Sequence, residues 1–162
     1  MPIRYDVEFI NPFLEAVIGV LGTMAQVQAR PGKPYLNKRR TAPLDVTGII
    51  GIDGHCQGTI ALSLSKSAIL KIVNNMLAES LTEIDEDIRD AVGELTNMIA
   101  GQARASLANL GLKFSASTPL VSVGQGQKTT HAPGAPILAI PFETDDGPLV
   151  VEVALDQDEK AA

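Results

Sequence analysis

Apolar residues recur at three- and four-residue spacing in two long stretches of this chain, and short β-rich runs separate them. In "FINPFLEAVIGVLGTMAQV" (9–27), Leu14, Val17, Ile18, Leu21 and Met24 keep the helical period. Asn11 as N-cap and Pro12 at the first helical position predict its start. A longer helix is predicted over 85–110, where Ile88, Val92, Leu95, Ile99, Ala103, Ser106 and Leu110 form one apolar stripe. Gly111 ends it, because glycine accepts the left-handed backbone that closes a helix. Between them, "DVTGIIGIDGHCQGTIALSLS" (45–65) reads as two strands turning at Asp53-Gly54. Ser65 can cap a further helix over 66–79. Residues 30–43 break the first helix and carry a short extended piece. Three later segments, 112–124, 136–145 and 147–155, read as strands, the last two joined by a turn at 145–147. Residues 124–136 read as a polar loop. The order predicts an α+β layered domain, with long helices packed on an antiparallel or mixed sheet.

The chain has 162 residues, the length of one domain, with a core over 5–155 and a frayed tail at 156–162. It is 45% hydrophobic and has no Trp, so its core is aliphatic. A net charge of −6 argues against nucleic acid as partner. The one basic cluster, Lys38-Arg39-Arg40, reads as a solvated loop. The lone Cys56 excludes an internal disulfide, suits a reducing compartment and is expected to pack as a small hydrophobe. The N-terminus lacks a signal-peptide pattern, and no uncharged apolar run reads as a membrane span. The expectation is a cytoplasmic protein with no membrane partner.

One face of the long helix departs from the ordinary pattern. Asp90, Glu94, Asn97, Gly101, Arg104 and Ala108 fall within an arc of about 80°, opposite the apolar stripe. A solvated face favours long helix formers, yet Gly93 and Gly101 each cost about 1 kcal/mol against Ala there. Asn in mid-helix is also unfavourable, because its amide competes for backbone hydrogen bonds. A face that stays small while presenting a carboxylate and an amide at i and i+3 suits a docking surface. The carboxylate can pair with a partner's lysine. The carboxamide donates and accepts at once, so it can hold a water in line for attack.

Other constellations are weaker. Asp53, His55, Ser63 and Ser65 match no nucleophile elbow. His55, Cys56 and His131 lack the spacing of a metal site. Gly124-x-Gly126 lacks the third glycine and the following helix of a phosphate loop. A faint internal repeat lays Asn11 on Asp90, Glu15 on Glu94, Ile18 on Asn97 and Gly22 on Gly101, with isoleucine where the amide should be.

Asp90-x3-Glu94-x2-Asn97 resembles the signature of the CheC/CheX/FliY phosphatases of bacterial chemotaxis. The stretches 90–114, 9–25, 45–54 and 69–77 are similar to the CheX branch, and the resemblance covers about residues 5–155. Pro119 fills the place of a proline in the family pattern. The resemblance implies hydrolysis of the aspartyl phosphate of a CheY-type response regulator. Asn97 would orient the attacking water and Glu94 would bind the partner's lysine. Asp90, Gly93, Gly101 and Arg104 would line the docking face. The chain would hold no metal or cofactor of its own, the Mg2+ belonging to the receiver domain. It also implies a homodimer joined through the sheets. The alternative is a non-enzymatic module of the same fold that binds a receiver domain or a flagellar component.

Overall fold

The computed structural model describes residues 2–131 and 133–157. Among these lie three helices, α1 (Val7–Ala25), α2 (Lys66–Leu77) and α3 (Glu86–Asn109). Eight strands accompany them: β1 (Arg30–Pro31), β2 (Tyr35–Asn37), β3 (Val46–Gly54), β4 (Gln57–Leu64), β5 (Phe114–Ala116), β6 (Leu120–Val123), β7 (Ile137–Thr144) and β8 (Gly147–Asp156). They build one antiparallel sheet in the order β1-β7-β8-β4-β3-β5, with β2 also on β7 and β6 also on β3. The expected α+β architecture therefore holds, with the sheet antiparallel throughout.

Side chains alternate across the central strands, as the pleat requires. Val46, Ile50, Ile52, Ile60, Leu62, Leu64, Val151 and Val153 join the core with the buried stripes of α1 and α3. The opposite face carries polar groups that pair with one another. Thr47 Oγ1 lies 2.9 Å from Ser63 Oγ. His131 Nε2 lies 3.1 Å from Glu152 Oε1, and Asn37 Nδ2 donates to Glu152 Oε2 at 2.6 Å. These bonds hold His131 over this face of the sheet, beside Asn37 of β2.

Several boundaries differ from the sequence reading. Asn11 is not the cap of α1. Asp6 is, accepting from the Phe9 N–H at 3.1 Å, and Pro12 lies inside the helix. An interior proline costs about 3 kcal/mol. Full burial of two phenylalanines contributes about 1.5–3 kcal/mol each, so the turn that buries Phe9 and Phe13 can form despite Pro12. The stack of Tyr5 on Phe9, with ring centroids 5.4 Å apart, adds to this end of the helix. By length and mean hydropathy (1.4 over its most apolar 18 residues) α1 would suffice to cross a membrane. Here Phe9, Phe13, Ala16, Val17 and Leu21 are instead core residues.

The turn between β3 and β4 lies at His55-Cys56, not at Asp53-Gly54. β5 extends β3 through these two residues, pairing Asp53 with Ser115 and Gly54 with Phe114. The single strand expected over 112–124 is two. Ala116 pairs with Ile52 and Leu120 with Ile49, so four steps on one strand match three on the other. That is a one-residue bulge. Ser117 anchors it by donating its N–H to Gly51 O at 2.9 Å. The tail begins later than expected, since Asp156 still pairs with Gln57 and Gln157 Nε2 donates to Ile3 O at 3.1 Å. The rest of the expected tail, 158–162, lies outside the described residues.

Other expectations hold. Ser65 caps α2, accepting from the Ala68 N–H at 3.2 Å. The β7–β8 hairpin turns at Asp145-Asp146, and Gly111 follows α3 with φ +85°. The apolar stripe of α3 is buried from Ile88 to Ala103, but its last turn buries Leu107 and leaves Leu110 exposed.

Candidate functional site

α3 is built to stand firmly at the sequence motif. Asp85 caps it by accepting from the Ile88 N–H at 3.0 Å, and Glu86 and Asp87 complement the positive end of its dipole. Val92, Leu95, Thr96, Ile99 and Ala100 are buried against the sheet and α1. That leaves Asp90, Glu94 and Asn97 exposed. Among the described residues, no hydrogen bond or ion pair engages these three side chains. Glu94 and Asn97 are three residues apart, so their stems are separated by about 4.5 Å along the axis and about 60° around it.

The glycines beside them are not demanded by packing within the chain. A Cβ on Gly93 would meet Val121 Cγ2 at 3.6 Å and Pro119 Cγ at 4.0 Å, which is ordinary contact. On Gly101 it would meet only Arg104 Nη2, at 3.9 Å. Pro119 thus sits beside Gly93, next to Glu94, where the bulge between β5 and β6 delivers it. Arg104 is less free than its place on this face suggests. Its Nη1 donates to Phe114 O at 3.2 Å, while its Nε is buried without a partner. The equivalent face of α1 is also exposed at Asn11, Glu15, Ile18 and Gly22.

The other constellations are dispersed by the fold. Ser63 is buried and accepts from the Leu44 N–H at 3.1 Å, Ser65 serves as a cap, and Asp53 accepts from the Gly54 N–H at 2.9 Å. Thr59, His131 and Glu152 do stand in a row, with His131 4% and Glu152 1% exposed. Their bonds tie the 124–136 loop to the far side of the sheet, away from α3. Among the described residues, no three His, Cys, Asp or Glu side chains gather as a metal site. Cys56 is half-buried at the β3–β4 turn. Burial first, then the negative fields of Asp156 and Asp53, raises its thiol pKa above the ordinary value.

Residues 46–143 match the model of a family described as "Chemotaxis phosphatase CheX". The chain belongs to the CheX family. It is therefore placed among protein phosphatases. The chain is 28% identical over 124 residues to the CheY-P phosphatase CheX of Thermotoga maritima, covering 76% of this chain and 80% of that one. A crystal structure of a chemotaxis protein CheX from Desulfovibrio desulfuricans is 42% identical, with a TM-score of 0.85 over 93% of this chain and 100% of that one. A CheX–CheY–BeF3–Mg2+ complex from Borrelia burgdorferi is 26% identical, with a TM-score of 0.78 over 95% of this chain and 100% of that one. These relatives thus share the fold of this chain over nearly its whole length.

Proposed function

We propose that this chain hydrolyses the aspartyl phosphate of a CheY-type response regulator, with Glu94 and Asn97 as its working residues. The observation that carries this reading is the unpartnered Glu94/Asn97 pair on an otherwise well-packed helix, flanked by glycines that no intrachain contact requires. The Thermotoga relative is named for acting on CheY-P, and the Borrelia relative was solved with CheY.

In this reading α3 docks on the receiver domain. Glu94 pairs with a lysine of the partner and fixes the register. Asn97 enters beside the acyl phosphate and holds a water behind the phosphorus. The water oxygen forms the new P–O bond and releases a proton to the phosphate oxygens and the solvent, the bond to the aspartyl oxygen breaks, and the carboxylate leaves as the anion it was before phosphorylation. The reaction needs positioning more than covalent chemistry, so a carboxamide suffices. The Mg2+ belongs to the partner. Asp90, Gly93 and Gly101 form the approach surface, and Arg104 acts there from its tether to Phe114. We place the protein in the cytoplasm, as a homodimer joined through its sheets.

The test is phosphate release from purified phospho-receiver domains, each incubated with this protein. Acceleration above the receiver's own rate supports the reading. Tight binding without acceleration would instead favour the non-enzymatic module.

A further inference from the structure

We propose that Gly48 and Thr96 form a positioning pair that sets the height of Asn97 above the sheet. This rests on the water-orienting role given to Asn97. Thr96 is 1% exposed and precedes Asn97 directly. It points the other way, into β3. A Cβ built on Gly48 would lie 2.1 Å from Thr96 Oγ1, 3.1 Å from its Cβ and 3.4 Å from its Cγ2. The Thr96 hydroxyl donates to Val92 O at 2.7 Å, so swinging it away breaks that bond, and Thr96 Cβ stays 3.1 Å from the added carbon at any χ1. Hence the helix touches the sheet here through a side chain seated directly on backbone.

The same contact sets α3 against β6. Gly48 pairs with Val121, and Val121 Cγ2 is the atom nearest to a Cβ on Gly93, beside Glu94. A partner resting on α3 and on the Pro119–Leu120 corner meets two surfaces whose offset the Gly48–Thr96 contact defines. With the Thr96 hydroxyl held on Val92 O, an added methyl on Gly48 lifts α3 by about 1 Å to restore normal contact, and a displacement of that size at a reacting centre can cost about a hundredfold in rate. Gly48 and Thr96 touch neither substrate nor water, so they are positioning residues.

The experiment measures kcat and KM for phospho-receiver dephosphorylation well below the melting temperature. Gly48→Ala is expected to lower kcat about tenfold or more with a much smaller rise in KM, since the flexible Glu94 side chain can follow its lysine across about 1 Å whereas in-line attack cannot. Gly48→Ala combined with Thr96→Ala should recover part of the loss, and Thr96→Ser, which keeps the hydroxyl, should stay near wild type. Combined with Asn97→Ala, Gly48→Ala should add no further loss, because both act on one water. If Gly48→Ala does not fold, Thr96→Ala alone carries the test, with a fall in kcat expected and Thr96→Ser as its control. Wild-type kcat in folded Gly48→Ala, or in Thr96→Ala, overturns the positioning role while Asn97→Ala is inactive. Full activity in Asn97→Ala would instead remove the reading beneath it.

Discussion

His131 Nε2 faces Glu152 Oε1 at 3.1 Å on the side of the sheet away from the helices, where both side chains are buried. Asn37 completes the set by donating to the other carboxylate oxygen at 2.6 Å. His131→Ala leaves Glu152 buried with half its partners, so it is expected to destabilise the fold by about 3 kcal/mol. Phosphatase activity of the folded fraction should stay unchanged, because α3 is on the other face. Urea unfolding and hydrogen exchange over 124–136 check this. Unaltered exchange in that loop would show that the pair does not anchor it.

Asn97→Ala is expected to fold as the wild type and to lose most of its phosphatase activity. The side chain is exposed and unpartnered, so its removal costs little stability, whereas a positioned water can account for several kcal/mol of barrier. Circular dichroism together with phosphate release decides it. An unchanged fold with an unchanged rate would end the water-orienting role.

Glu94→Ala should act on docking. The half-saturating concentration of phospho-receiver is expected to rise, and its salt dependence to flatten, since one screened charge pair is gone. Titrations at several ionic strengths read both. Identical curves for mutant and wild type would remove Glu94 from lysine pairing.

Gly101→Leu is expected to raise helix stability by up to about 1 kcal/mol and to abolish activity. Among the described residues a Cβ there meets nothing closer than Arg104 Nη2 at 3.9 Å, so a folded variant that still keeps Arg104 on Phe114 O and is inactive points to a blocked approach. Gly22→Leu is the control. Gly22 is exposed, with nothing within 4 Å of its Cβ position, and its helix carries Ile18 in place of the amide. It should leave hydrolysis intact. Thermal melting and dephosphorylation on both variants give the answer, and full activity in Gly101→Leu would mean that α3 does not dock through this face.

The sequence by itself determined the elements and the motif. Helical spacing located α1 and α3, and alternation and turn residues located the β7–β8 hairpin, because burial on one face leaves a period that can be read locally. Asp90, Glu94 and Asn97 were legible for the converse reason. They break the economy of an exposed helix face, and that cost shows in residue types alone.

What only the tertiary structure decided depends on neighbours distant in the chain. β5 holds Asp53 and Gly54 in a strand and so moves the turn to His55-Cys56. The buried phenylalanines carry α1 through Pro12, back to Asp6. Glu152 is the one charged residue between Leu149 and Leu155 of β8, and only the fold shows that Asn37 and His131 close over it. Thr96 reads as an ordinary helix residue and Gly48 as an ordinary strand glycine, 48 positions apart. Only their contact shows why one must be small. Pairwise packing leaves no period in a sequence, since each partner is chosen for the shape of the other.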